Sequence, residues 1–306
     1  MTSYRIDNHK LIFHPGRVSE WLKNKDTSPI YIEISPSSVC NHRCIFCAFD
    51  YLGHKPVFLN ADILKKFIRD IAQHKAKSIL FSGEGEPLLV RRLPEVICFA
   101  KKKGLDVALT TNGLFLTKET TGRILPYLTW LRISFNAGTP RTYSFVHKTS
   151  AGDFRKIINN LREAVRLKKD KNYACTIGVQ FLLLKENYKE ALTLANIMKS
   201  LGVDYLIVKP YSQHPLSTNR LKSSLDYKEF LYLENRLKKI ENKHFKIIFR
   251  NRTMAKISEK RPYKRCLGHP FYAHLTAEGD LYACSSFLGD RRFCYGNIYR
   301  DSFDKI

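Results

Sequence analysis

Residues 31–47 read Tyr31-Ile32-Glu33-Ile34-Ser35-Pro36-Ser37-Ser38-Val39-Cys40-Asn41-His42-Arg43-Cys44-Ile45-Phe46-Cys47. The opening segment, Tyr31–Ser35, is short and rich in β-formers, the composition of a strand. The closing segment sets three cysteines at C-x3-C-x2-C spacing, so three thiolates converge from one short loop. Cysteine thiolates hold iron–sulfur clusters, normally four of them for a [4Fe–4S] cluster. Three leave one iron without a protein ligand, open to a small molecule as the fourth position of a catalytic zinc site is. A Cys3His zinc knot recruiting His42 is the alternative. Its spacing would be unusual for a zinc ribbon, and a lone knot would not need the sheet that follows.

Outward from this loop, strand and helix patterns alternate. Asn60 suits the N-cap of a helix with Ile63, Leu64, Phe67, Ile68 and Ile71 on one face. Strands are expected at Ser78–Ser82, Asp106–Thr110, Leu131–Phe135, Thr176–Leu183 and Tyr205–Val208. Helices are expected at Leu93–Lys103, with Gly104 at its C-terminal cap, and at Lys118–Leu125. A long helix is capped by Asp153, and another runs from a cap at Asn187 to about Leu201. Six βα units with short loops imply a parallel sheet covered by helices. Eight units close a full barrel, so the expected fold is α/β, a partial (βα)6 barrel. Ligands of such folds bind at the carboxyl ends of the strands, where the cysteine loop lies.

After Pro210 the pattern changes. Asp226–Lys239 reads as a helix and Phe245–Phe249 as a strand. Ala273–Ala277 and Asp280–Cys284 read as a hairpin about Glu278–Gly279. The expected organisation is an N-terminal extension at 1–29, the partial barrel at 30–250 and a smaller module at 251–306.

The 306 residues are 44% hydrophobic and 26% charged, a balance that excludes a mainly disordered chain, a collagen and a coiled coil. No run approaches the ~20 apolar residues of a membrane span. The first ten residues lack the apolar core of a secretory signal, and eight cysteines are too sparse for a disulfide scaffold. The chain is therefore read as cytoplasmic, with reduced thiols. Lysines and arginines number 52 against 28 acidic residues, a net charge of +24. That surplus fits a solvated basic surface, an anionic substrate such as a nucleotide or sugar phosphate, or nucleic acid. No RNA- or DNA-binding motif is visible.

The loop resembles the signature of the radical S-adenosylmethionine (radical SAM) superfamily: C-x3-C-x2-C directly after the first strand, with aromatic Phe46 before the last cysteine. Further segments follow in the family's order. Ser82-Gly83-Glu84-Gly85-Glu86-Pro87 resembles the glycine-rich motif that lines the methionyl amino group, which implies Gly83 and Glu84 as cofactor contacts. Thr111-Asn112-Gly113 resembles the family's TNG turn, a largely structural element. Ser134 and Asn136 occupy the position that supplies polar groups to S-adenosylmethionine, and Gln180 lies in the strand that packs near adenine. Lys209, Gln213 and His214, after the sixth strand, are candidates for substrate contact.

Cys266 and Cys284 enclose the predicted hairpin, and Cys294 precedes Tyr-Gly-Asn-Ile. This pattern resembles the start of the SPASM or Twitch module, whose cysteines hold auxiliary iron–sulfur clusters. The module's late Cys-x2-Cys pair is not reached by Ile306, so an incomplete module or a fragment is expected. Cys98 and Cys175 read as buried barrel residues.

The resemblance implies an enzyme that cleaves S-adenosylmethionine reductively at a [4Fe–4S] cluster. The resulting 5′-deoxyadenosyl radical takes hydrogen from a small, sugar- or nucleotide-like substrate or a peptide. An electron donor such as flavodoxin or ferredoxin is implied as a partner; no membrane partner is. The rival readings are an RNA-modifying radical SAM enzyme and a non-catalytic iron–sulfur or zinc protein.

Overall fold

Strand and helix alternate through the computed structural model, which describes residues 10–24, 27–219, 221, 225–257, 259–260 and 263–306. In chain order the elements are α1 (Pro15–Asn24), β1 (Tyr31–Ile34), α2 (Ala61–Gln73), β2 (Ser78–Phe81), α3 (Leu93–Lys102), β3 (Asp106–Thr111), α4 (Lys118–Ile124), β4 (Trp130–Ser134), α5 (Pro140–His147), α6 (Ala151–Asp170), β5 (Thr176–Leu183), α7 (Ala191–Leu201), β6 (Tyr205–Pro210), α8 (Tyr232–Lys238), β7 (Lys246–Phe249), α9 (Asn251–Ile257), β8 (Tyr272–Leu275), β9 (Asp280–Tyr282) and β10 (Cys294–Asn297). The α/β class with parallel strands is as the sequence predicts. The residues form two compact units.

The first unit takes its described residues from 1–39, 55–108 and 262–306. Within it β1 lies between β2 and β8 and is parallel to both, Tyr31 standing opposite Ser78 on one side and Tyr272 on the other. Strands β8, β9 and β10 continue antiparallel. The predicted hairpin is present, turned at Gly279 with φ +86. Through β8 it shares the sheet of β1, whose second edge would otherwise leave buried N–H and C=O groups unpaired. Helix α2 begins as expected, with Asn60 Oδ1 accepting from the N–H groups of Asp62 and Ile63, and buries Leu64, Phe67, Ile68 and Ile71. Of the N-terminal extension at 1–29, residues 1–9, 25 and 26 lie outside the described residues. The rest supplies α1, whose Arg17 donates to the carbonyl of His74 at 2.7 Å.

The second unit takes its described residues from 40–54 and 109–261. Strands β4, β5, β6 and β7 are parallel, in that order, so β7 adds a parallel strand that the six-unit count omits. Ile133, Val179, Phe181, Leu206 and Val208 are fully enclosed here. Two predicted caps are corrected. The long helix is capped by Ser150, whose hydroxyl accepts from Gly152 N–H. Asp153 lies one turn in and accepts from the Thr149 hydroxyl. Asn187 precedes a 3-10 turn at Tyr188–Glu190 and makes no capping bond. Its amide instead bonds backbone groups of Asn136, Leu182 and Leu184. Helix α5, between β4 and α6, is missing from the sequence reading.

Candidate functional site

The cysteine loop belongs to the second unit, and its shape is held from three directions. From below, Asn112 of the TNG turn donates to Asn41 Oδ1 at 2.8 Å while its own Oδ1 accepts from Leu114 N–H. From one side, the last carbonyls of α5 accept from the loop: Arg43 N–H bonds to His147 O at 3.1 Å and Ile45 N–H to Val146 O at 3.0 Å. These are carbonyls that a helix end leaves without intrahelical partners. From the other side, the segment after β6 straps the loop. Ser217 donates to Cys47 O at 3.2 Å, and Thr218 and Asn219 donate to Asp50 at 2.6 Å each. Phe46 packs with Val146 and Leu184 beneath.

Cys40, Cys44 and Cys47 are not disulfide-bonded, and each is half-buried. Burial, reinforced by the neighbouring Cys40 and Cys47, pushes the Cys44 thiol well above its ordinary value. Burial likewise raises Cys47. Burial disfavours the charged form of these sulfurs, so they would ionise readily only with a cationic centre among them.

His147 closes the loop from α5. It is buried, with Nδ1 3.2 Å from Cys44 Sγ. Burial first, and His42 second, hold its imidazole well below the usual range, so it is neutral. His42 is buried too, with Nε2 3.7 Å from Asp153 Oδ2. Burial lowers its value and Asp153 opposes the shift. His42, Cys44 and His147 form the one group of three ligand-type side chains found within 4.8 Å of one another among the described residues.

Asn136 is fully buried: its Oδ1 accepts from Leu182 N–H at 2.6 Å, and its Nδ2 lies 3.3 Å from Ser134 Oγ. Ser134 and Asn136 do share a side, as strand alternation requires, but the Asn136 amide is engaged inside the unit. Gln180 finds a partner, accepting from Lys209 Nζ at 3.1 Å. Gln213 is exposed and accepts from the Tyr211 hydroxyl at 2.5 Å. His214 stacks on Tyr51, with centroids 4.8 Å apart at 8°.

Gly83 and Glu84 belong to the first unit. Gly83 has φ +97, and a Cβ there would lie 1.8 Å from Ser35 Oγ; one on Gly85 would lie 2.2 Å from the Val39 carbonyl. The glycines let this loop close onto the chain after β1. Glu84 is buried, its carboxylate accepting from Ala277 N–H at 3.3 Å. Burial outweighs that bond and lifts its carboxyl to about 7. A polar chain that sequence reading missed lies beside it. Ser35 Oγ is 2.8 Å from His274 Nε2, the Tyr272 hydroxyl donates to Glu33 at 3.2 Å, and Ser82 donates to Glu33.

Of the C-terminal cysteines, Cys284 and Cys294 each make a local contact. Cys266 is exposed. Cys284 accepts from Ser286 N–H at 3.5 Å. Cys294 sits in β10 opposite Tyr282, with Arg291 3.8 Å from its sulfur. Cys175 is buried as expected, whereas Cys98 is half-buried.

His147, Glu190 and the strap 217–219 escaped sequence reading, as did the bonds that Asn187 makes. Glu190 accepts from Gly138 N–H, Thr139 N–H and the hydroxyls of Thr139 and Thr142, holding the start of α5. A single Asn-x-x-Glu in a helical region carries no signal of this, because the partners lie about 50 residues away.

Residues 34–198, more than half of the chain, match the Radical SAM superfamily. The chain is similar to the tungsten-containing aldehyde ferredoxin oxidoreductase cofactor-modifying protein of Pyrococcus furiosus, 28% identical over 186 residues, covering 58% of this chain and 50% of that protein. It thus spans half the length of that relative. It is also similar to a probable GTP 3′,8-cyclase of Metallosphaera sedula, 27% identical over 265 residues, covering 83% and 80%. The crystal structure of Streptococcus suis SuiB bound to S-adenosylmethionine shares the fold, with a TM-score of 0.73 at 16% identity over 96% of this chain and 69% of that one. Among the described residues no helix is long and apolar enough to cross a membrane. The chain belongs to the radical SAM superfamily, whose enzymes use a [4Fe–4S] cluster and S-adenosylmethionine.

Proposed function

We propose that Cys40, Cys44 and Cys47 hold the [4Fe–4S] cluster and that the protein acts on a small anionic substrate of the nucleotide class. The observation that carries the first part is the loop itself: three half-buried cysteines, Cys40 and Cys47 close enough to act on Cys44, with the loop backbone anchored on α5, the TNG turn and the strap after β6. When bound, the cluster supplies the electron that cleaves S-adenosylmethionine. The chain's own residues orient and enclose. Asn112 and α5 fix the loop, Gly83 and Glu84 are offered for the methionyl amino group, and Ser134 and Gln180 for the rest of the cofactor. Lys209, with Gln213 and His214 beyond it, is offered for substrate.

The substrate class rests on the +24 charge and on likeness to a protein whose name specifies GTP. Residues 251–306 are proposed as an incomplete Twitch-like segment, in which Cys266, Cys284 and Cys294 are candidate ligands that do not by themselves complete a cluster, and flavodoxin or ferredoxin as the electron donor. The test is anaerobic reconstitution with iron and sulfide, then assay of 5′-deoxyadenosine after reduction with dithionite. Replacing the three loop cysteines by alanine abolishes both iron binding and product. Undiminished product in that variant would remove the ligand assignment.

A further inference from the structure

We infer that His147 is a positioning residue for the cluster loop: its Nδ1–H donates a hydrogen bond to the Cys44 sulfur and raises the electron affinity of the centre held there. The inference rests on the ligand assignment proposed above.

The direction of every hydrogen bond follows from groups with only one option. A backbone N–H can only donate. Leu182 N–H therefore identifies Oδ1 of Asn136, 2.6 Å away, and leaves Nδ2 as that amide's donor. Both Asn136 N–H, at 3.2 Å, and Asn136 Nδ2, at 3.4 Å, address His147 Nε2. Nε2 is therefore the acceptor nitrogen, and a neutral imidazole then carries its proton on Nδ1. Nδ1 lies 3.2 Å from Cys44 Sγ. The opposite tautomer would set Nε2–H against two donors. The same conflict disfavours Nδ1 as a ligand to a single ion, although His42, Cys44 and His147 lie close together.

The ring is held in place. Tyr143 stacks on it at 4.2 Å and 24°, and Phe46 meets its edge at 5.3 Å and 83°. Its backbone carbonyl accepts from Arg43 N–H, so the same residue anchors loop and sulfur. Hydrogen bonds to ligating sulfurs disperse thiolate charge and stabilise the more negative, reduced centre.

The experiment is an EPR-monitored redox titration of the anaerobically reconstituted full chain without S-adenosylmethionine. His147→Phe, with iron content equal to wild type, should lower the ratio of reduced to oxidised centre at fixed poise by about tenfold, which is about 59 mV for one electron. His147→Asn, whose amide can place a donor near the same position, should recover part of it. An unchanged midpoint in the phenylalanine variant overturns the inference. If that variant does not retain iron, pulsed EPR of ¹⁵N-histidine-labelled His42→Gln protein decides, since His42 also lies near Cys44. Histidine nitrogen coupled to the reduced centre supports the bond, and its absence overturns it. Wild-type protein that takes up no iron–sulfur centre would instead overturn the ligand assignment.

Discussion

Asn187 donates to the Asn136 carbonyl at 2.9 Å and to the Leu182 carbonyl at 2.8 Å, while its Oδ1 accepts from Leu184 N–H at 2.8 Å. One buried side chain thus ties the end of β5 to the loop after β4, beside the pair that orients His147. All three partners are backbone groups that need a bond when buried.

Replacing Asn187 by leucine strands two carbonyls and one N–H away from water. The expected loss is about 3 kcal/mol, from roughly 1–3 kcal/mol for each buried group left unpaired and partial relaxation of the site. Urea unfolding measures it. A midpoint corresponding to less than about 1 kcal/mol of change would mean the three bonds are readily replaced by water.

Glu84 makes stability depend on pH. Its carboxyl titrates near 7 when folded against 4.5 when free, because burial disfavours the charged form. The folded protein therefore keeps a proton that the unfolded chain has lost between those values. Its contribution is fully present below about 4.5 and declines as pH rises through 7, by up to about 3 kcal/mol. Glu84→Gln, which can still accept from Ala277 N–H, should lack this decline. Thermal unfolding of both proteins from pH 5 to 8, without S-adenosylmethionine, should show the variant gaining on wild type as pH rises. Parallel curves would show that the carboxyl titrates normally.

An anionic substrate is expected to bind more weakly as salt rises, because surface attraction is screened. Lys209→Met should raise KM for such a substrate by about tenfold or more, the worth of one charge-assisted hydrogen bond. Formation of 5′-deoxyadenosine without substrate should be unaffected. Single-stranded RNA should compete poorly. Submicromolar RNA binding at physiological salt would favour an RNA-modifying enzyme instead.

Iron analysis tests the C-terminal cysteines. The chain is expected to hold about four irons at the loop, as one [4Fe–4S] cluster, and few elsewhere, since Cys266 is exposed and Cys284 and Cys294 make separate local contacts. Replacing all three by alanine should leave iron content unchanged. About eight irons per chain in wild type, falling to about four in that variant, would show a complete auxiliary cluster.

Much of the chain was legible from local rules. The strands and the α2 face follow from apolar periodicity, and Asn60 capped its helix because a cap needs only residues two and three positions away. The three-cysteine loop was legible for the same reason, since its spacing is carried within eight residues. What the sequence could not decide are contacts between residues far apart in the chain. His147 meets Cys44 across 103 positions, Glu190 holds Gly138 across 52, and Ala277 meets Glu84 across 193. The pairing of β8 with β1 is of the same kind. Asn187 and Asp153 were assigned by residue type to a cap, yet each took another partner. Buried polar groups bond to whatever the packed chain places within about 3 Å, and only tertiary packing determines which group that is.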